Sequence, residues 1–173
     1  MLHTISSEIT DKTKEYTIYI DKHRANVQKA WDEVQEKCKD LLSANLSSTQ
    51  LALIESNIKN HDMSKYGEEE FEPYRKWFYP VEESEKSKKE FDKAWQHHKE
   101  NNLHHPDIWK ERGNQDLMPY YFIVEMVCDW QAMGYVFGNN AKQYYEKEKT
   151  NIQAKLGKKQ IKWTEDLLNA LCK

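Results

Sequence analysis

Histidine and aspartate residues occur along this chain in an order that could bind a metal ion. Six of the seven histidines lie between positions 23 and 105. His23, His61 and His98 each fall on an apolar face of a predicted helix. Asp62 follows His61, and Asp129 lies within the most apolar segment of the chain. Because a carboxylate there is costly unless it is paired or binds a metal, this combination favours a first-row transition metal or Mg²⁺.

Each of these residues also has a purely structural interpretation. A lone buried histidine such as His23 is more often a core residue than a ligand, and Asp129 could pair with Arg112 or a nearby lysine. The run His104-His105-Pro106-Asp107 could be a loop without a function. The whole order is more specific than its parts: a His, a His-Asp doublet, a His, a His pair and a distant Asp. We therefore interpret it as a metal site of one or two ions.

The order resembles the HD-domain superfamily of metal-dependent phosphohydrolases, which are all-helical. That superfamily has a His on one helix, a His-Asp doublet at the end of the next and a distant Asp on a later helix. Here these would be His23, His61-Asp62 and Asp129. The stretch His61-Asp62-Met63-Ser64-Lys65 also matches the His-Asp-x-x-Lys form of the family. The chain is similar, more closely, to a small uncharacterised bacterial and phage family, over roughly residues 15–137.

The resemblance implies a role for each residue of the pattern. His23, His61, Asp62 and Asp129 would hold a first ion, and Asp62 would bridge to a second. The second ion would be held by His98 and His104, with His105 as a further candidate ligand. Lys65 would contact a substrate phosphate, so that Asp62 and Lys65 are the candidate catalytic residues. Without the resemblance, Lys65 is an ordinary lysine at a helix end.

Six further residues are candidates for supporting roles. Glu125, one turn before Asp129, could orient a ligand histidine or form a salt bridge at the helix surface. Asn102 could fix its loop or contact substrate. Tyr66 and Trp109, together with Trp95 and Trp130, could line a pocket, although aromatic residues at helical spacing usually belong to the core.

The hydrophobic pattern predicts that these residues are carried by helices. We expect an all-α fold, a single HD-like bundle of about six to eight helices spanning residues 1–173, with a core over roughly 15–137 and C-terminal helices over 139–173 packing on it. Only 5 Gly and 4 Pro interrupt the chain. The predicted helical segments are 12–42, a second one opened by Ser47, 68–79, 84–102, 120–137, 139–156 and 159–172. A loop over 103–115 could hold one short turn around Trp109.

Composition narrows the classes of function. The 173 residues carry a net charge of −3, which makes nucleic-acid binding unlikely; the one basic candidate is the stretch 155–162. The first eight residues lack the apolar region of a signal peptide, and no segment looks long and apolar enough to span a membrane. Three widely spaced cysteines, Cys38, Cys128 and Cys172, favour a reducing cytoplasm over a disulfide framework. The oligomeric state is not indicated.

Three hypotheses for function follow. The favoured one is a metal-dependent phosphohydrolase that uses a metal-activated hydroxide on a small phosphorylated compound, with a nucleotide as the preferred substrate. The ion would be Mn, Fe, Ni, Co or Mg. The second is a di-iron oxygenase of the HD fold, which uses the same ligands to activate O₂. The third is a non-catalytic helical module that a metal stabilises and that binds a protein partner.

Overall fold

The computed structural model describes residues 2–173, with side chains from Ser7 onward. Met1 and the side chains of the next five residues, part of the stretch on which the signal-peptide expectation depends, lie outside the described residues. The α-helices are α1 Leu2–Lys37, α2 Lys39–Asn45, α3 Ser48–Lys59, α4 Glu68–Phe78, α5 Lys88–Asn101, α6 Pro106–Glu111, α7 Tyr120–Phe137, α8 Ala141–Gln153 and α9 Lys158–Leu171. Three 3-10 turns span Met63–Tyr66, Glu83–Glu85 and Gln115–Leu117.

Residues 2–173 contain no β-strand, which confirms the all-α prediction. The described residues form nine α-helices where about six to eight were predicted, and two local features explain the difference. The predicted helix 12–42 is interrupted at Cys38, which takes φ −112° and ψ 16°. The segment 103–115, predicted as a loop that could hold one short turn around Trp109, contains the six-residue α6, which has Pro106 in its first turn where a missing N–H is tolerated.

Residue contacts group the chain into two compact units. The first unit comprises the chain up to Lys22 together with Asp62–Asn102, and the second comprises His23–His61 and Leu103–Lys173. The prediction of a single domain over the whole chain stays a prediction.

The first unit contains the beginning of α1, the turn Met63–Tyr66, α4 and α5. Tyr16 and Ile20 of α1 are buried with Tyr74 of α4 and Ala94 of α5. The buried Arg75 donates a hydrogen bond from Nη1 to Glu85 Oε2 at 3.0 Å. Because a buried guanidinium needs an anionic partner, this pair fixes the loop that joins α4 to α5.

The second unit is built around α7, which confirms the predicted central helix over 120–137. Helices α3, α8 and α9 pack against α7, and its buried residues include Ile123, Val124 and Val127. Gly138 ends the helix in the left-handed conformation at φ 70°. Gln160 of α9 donates to the carbonyls of Asp116 and Met118 at 2.8 and 3.1 Å, which holds the approach to α7.

Two element boundaries affect the candidate residues. Helix α3 ends at Lys59, so the doublet His61-Asp62 lies in the turn after the helix and not on its last turn. Gly67 lies between the 3-10 turn Met63–Tyr66 and the start of α4. Of the described helices, none combines the length and the apolar character that crossing a membrane requires.

Candidate metal centre

The second unit brings together five buried or nearly buried polar residues, which we call the histidine cluster: His23, His61, His104, Glu125 and Asp129. They come from α1, from the turn after α3, from the loop before α6 and from α7. Glu125 and Asp129 are four residues apart on α7 and therefore share one face of the helix. His61 and His104 are each only 1% exposed. Three sequence-distant segments thus converge on one face of α7.

Three ligand atoms of this cluster form a triangle. His23 Nε2 lies 3.3 Å from His61 Nε2 and 3.2 Å from Asp129 Oδ1. The third side, from His61 Nε2 to Asp129 Oδ1, measures 3.8 Å. His104 Nε2 lies 4.0 Å from the other carboxylate oxygen of Asp129, Oδ2. His61, His104 and Asp129 each offer one ligand atom, and these three atoms lie within 4.8 Å of one another, close enough to bind a common ion.

These separations fit the coordination of a first-row transition metal. Metal–ligand distances of about 2.0–2.1 Å place neighbouring ligands of a tetrahedral ion about 3.3–3.4 Å apart. The triangle has sides of 3.2, 3.3 and 3.8 Å. Two imidazole nitrogens and a carboxylate oxygen that face one another require a shared proton or a cation between them. The donor set, imidazole with carboxylate, is the one expected for such a metal.

Glu125 lies behind the histidines. Its Oε1 accepts a hydrogen bond from His61 Nδ1 at 3.0 Å and lies 3.1 Å from His104 Nδ1. A carboxylate at Nδ1 fixes the tautomer that leaves Nε2 with its lone pair, which is how proteins usually orient metal-bound histidines. The surface salt bridge considered for Glu125 does not occur, because the residue is 5% exposed.

The histidines of the cluster stabilise the anionic forms of its two carboxylates. Burial alone raises the pKa of Glu125, but the charge and hydrogen bonding of His104 and His61 outweigh burial and lower the pKa to about 2. Burial likewise raises the pKa of Asp129, yet His23, His61 and His104 together hold it well below the usual range for aspartate. Both carboxylates are therefore anionic near neutral pH, as metal ligation and imidazole orientation require.

The first unit contains a second group of polar residues, the Asp62 cluster: Asp62, Lys65, Glu70, His97 and His98. Asp62 Oδ2 accepts a hydrogen bond from Lys65 Nζ at 2.6 Å, and Asp62 Oδ1 lies 3.4 Å from His98 Nε2. The backbone of Asp62 is left-handed at φ 56°, a conformation that few residues other than Gly, Asn and Asp adopt easily. This local conformation follows from the tight turn between α3 and the 3-10 turn Met63–Tyr66.

Glu70 is the functional candidate that the sequence analysis missed. It is fully buried, with Oε2 2.8 Å from His98 Nδ1 and Oε1 2.7 Å from His97 Nδ1. Burial raises the pKa of Glu70, but hydrogen bonds from His98, His97 and Ser64 lower it below the ordinary glutamate value. Its sequence signal was weak, because it is one of three consecutive acidic residues that open α4 and look like a favourable helix start.

The remaining predicted residues are placed as follows. Asn102 donates to Ser64 Oγ at 2.7 Å and to the His98 carbonyl at 2.8 Å, which favours the loop-fixing role considered for it. The ring of His105 packs at a tilt against the ring of His104, with centroids 4.2 Å apart. The Trp109 indole donates to the Leu103 carbonyl at 2.8 Å, next to His104.

The other aromatic candidates pack within their own units. Tyr66 donates a hydrogen bond to Asp21 of α1. Trp95 stacks on the ring of His98, with centroids 5.7 Å apart. Trp130 packs against the core of the second unit and stacks on Tyr145. Trp95 therefore lies against a predicted ligand.

The basic stretch 155–162 is largely occupied by contacts within the second unit. Lys155 pairs with Asp107 at 2.9 Å, and Lys162 pairs with Asp166 at 2.6 Å. Lys159 lies over the ring of Trp163, 4.4 Å from its centroid. These partners neutralise or cover three of the four lysines in the stretch.

Comparison with known proteins identifies the family of the chain but not an activity. No curated protein and no solved structure has a significant match to it. A family model described as "Family of unknown function (DUF5662)" matches residues 12–173 and so covers both candidate clusters. The chain therefore belongs to the DUF5662 family.

Proposed function

We propose that this protein is a metal-dependent phosphohydrolase of the HD type that acts on a small phosphorylated compound, with a nucleotide as the first candidate. The observation that carries the proposal is the triangle of His23 Nε2, His61 Nε2 and Asp129 Oδ1, with sides of 3.2–3.8 Å. The order of the site residues along the sequence resembles that of the HD superfamily. This resemblance is the reason for proposing phosphate hydrolysis as the reaction.

In the second unit, His23, His61 and Asp129 would hold a divalent transition metal, with His104 as the fourth protein ligand. The bound metal would supply Lewis acidity, which polarises a phosphoryl oxygen and lowers the pKa of water. Glu125 would keep Nε2 of His61 and His104 unprotonated by accepting the proton of Nδ1. The burial of the histidines would exclude bulk water and strengthen these interactions.

In the first unit, Lys65 would provide the positive charge for a substrate phosphate. Its ammonium group lies 2.6 Å from Asp62 Oδ2 and its side chain is 16% exposed, so it is held in place yet accessible. Glu70 would orient His98 through Nδ1, which directs His98 Nε2 at Asp62 Oδ1. Asp62 and His98 are the candidate ligands of a second ion in this unit.

Elemental analysis followed by a phosphatase screen tests the proposal. We expect purified protein to retain Mn, Fe, Co or Ni, and His61→Ala and Asp129→Asn to lose it. The loaded protein should release inorganic phosphate from at least one member of a panel of nucleotides and small phosphomonoesters. Lys65→Met should bind metal but lose most of this activity, whereas Asp92→Asn, an exposed carboxylate on α5, should match the wild type. A loaded protein that hydrolyses none of the panel contradicts the proposal.

Oxygen activation at iron is the second candidate. Two histidines and one carboxylate on a single ion form the donor set of many non-haem Fe(II) oxygenases, and His23, His61 and Asp129 present that set. Iron-loaded protein that consumes O₂ and releases no phosphate would support this function over hydrolysis. Absence of O₂ consumption by fully loaded Fe(II) protein would exclude it.

A further inference from the structure

Arg24 contacts the chain at the point where α3 ends and the metal-binding turn begins. Its Nε donates a hydrogen bond to the carbonyl of His61 at 2.9 Å, and its Nη2 donates to the carbonyl of Lys59 at 2.7 Å. Lys59 is the last residue of α3. One guanidinium therefore holds two carbonyls on either side of Asn60.

The Lys59 carbonyl, at the C-terminal end of α3, needs an external donor. The last carbonyls of a helix have no partner within the helix, and they carry the negative end of its dipole. A guanidinium supplies both a positive charge and two parallel N–H groups in a fixed fork. An ammonium group would supply the charge without the fork. The geometry thus uses a property that belongs to arginine alone.

The contact has a consequence for His61 beyond capping the helix. The ring of His61 is oriented by Glu125 at Nδ1, and its Nε2 faces His23 Nε2 at 3.3 Å. Arg24 fixes the backbone of the same residue, so that His61 is held at its carbonyl and at its ring. Because Arg24 follows His23 on α1, one turn of this helix supplies a candidate ligand, His23, and the side chain that holds the backbone of a second candidate ligand, His61.

We propose that Arg24 is a positioning residue for metal binding, which sets the place of the His61 imidazole through its backbone carbonyl. This inference rests on the metal site of the proposed function. A ligand that is displaced by a few tenths of an ångström loses affinity for the ion without loss of the fold. Residues that orient metal ligands typically contribute about 10- to 100-fold to metal affinity.

The test compares Co²⁺ binding by the full chain as wild type, Arg24→Lys and Arg24→Gln. Lys22→Gln is the matched control, since Lys22 is an exposed cation two residues earlier on α1. The measurements are the Kd for Co²⁺, the d–d absorption spectrum of bound Co²⁺, and the Tm with and without the ion. We expect the Kd to rise about tenfold or more in both Arg24 variants and to stay unchanged in Lys22→Gln.

The rise in Tm on adding Co²⁺ separates positioning from general stabilisation. Loss of a helix cap alone lowers the Tm equally with and without metal and leaves the rise unchanged. Loss of positioning makes the rise smaller and alters the d–d spectrum, because the ligand geometry changes. We expect both changes in Arg24→Lys, which retains the positive charge.

Three results would overturn the inference. An unchanged Kd in both Arg24 variants, with normal binding by the wild type, would make Arg24 a helix cap only and leave the proposed function intact. Failure of both variants to fold without metal would show that Arg24 is required for folding and not specifically for positioning His61. Absence of Co²⁺ binding by the wild type would instead overturn the metal site, and the role of Arg24 with it.

Discussion

Replacing Glu125 with Gln tests the electrostatic design of the histidine cluster. The change keeps the shape of the side chain and removes the charge that faces His61 Nδ1 and His104 Nδ1 at 3.0 and 3.1 Å. The cluster lowers the pKa of Glu125 from the ordinary value of 4.5 to about 2. That difference corresponds to about 3 kcal/mol of interaction with the anion, which sets the upper limit of the loss.

Thermal unfolding of the metal-free protein at pH 7 measures this loss. For a chain of this length, about 3 kcal/mol lowers the Tm by about 6–12 °C. Glu146→Gln on α8 is the control, because Glu146 is exposed and its pairing with Lys149 should contribute little. The Kd for Co²⁺ should rise about 10- to 100-fold in Glu125→Gln, since the tautomers of two histidines are no longer fixed. A Tm within 2 °C of the wild type, together with an unchanged Kd, would refute this account of the cluster.

Three further predictions follow from contacts elsewhere in the chain. At Asp62, where φ is 56°, Ala should be less stable than Asn by about 1 kcal/mol in urea unfolding, because Asn tolerates the left-handed backbone; equal stability would contradict this. Gly157→Ala should cost about 1–3 kcal/mol by the same assay, because the added methyl group would overlap Asp116 Oδ1 and lie 2.9 Å from its Cα; a wild-type midpoint would show that the loop yields freely. Burial raises the pKa of Glu85, but Arg75 and the Val81 amide lower the pKa below the ordinary value. The contribution of this carboxylate to the stability of the fold is therefore complete above the unfolded pKa of about 4.3 and disappears as the pH falls through the folded pKa. Glu85→Gln should therefore cost about 1–2 kcal/mol at pH 7 and less at pH 3, and a difference that does not vary with pH would contradict the assignment.

The sequence predicted the elements where one strong signal decided the outcome. The apolar run of α7 predicted Tyr120–Phe137, and the capping box at Ser47 predicted the start of α3. The burial of His23 followed from its place in the apolar stripe of α1. The interruption at Cys38 and the end of α3 at Lys59 were missed, because no glycine or proline marks either point.

The sequence indicated candidate site residues but not which of them lie together within a unit. His104 was expected with His98 at a second ion, whereas its contacts within the second unit are with Asp129 and Glu125. Spacing along the chain cannot give this grouping, because His104 lies in a loop whose path depends on tertiary packing. Arg24 was missed for a related reason, since only the packed structure shows which residue covers the end of α3.

Each unit contains a buried glutamate that faces Nδ1 of two histidines, together with an aspartate near Nε2 of one or both of them. In the second unit Glu125 faces Nδ1 of His61 and His104, and the Nε2 atoms lie 3.8 and 4.0 Å from Asp129.

In the first unit Glu70 faces Nδ1 of His97 and His98, and Nε2 of His98 lies 3.4 Å from Asp62. Buried ion pairs are a poor source of stability, because desolvation offsets most of the attraction. A fold that buries two such sets therefore gains little stability over an apolar core, although removing one partner alone is costly. What the two glutamates do provide is a fixed direction for imidazole Nε2, which is the property that metal binding requires.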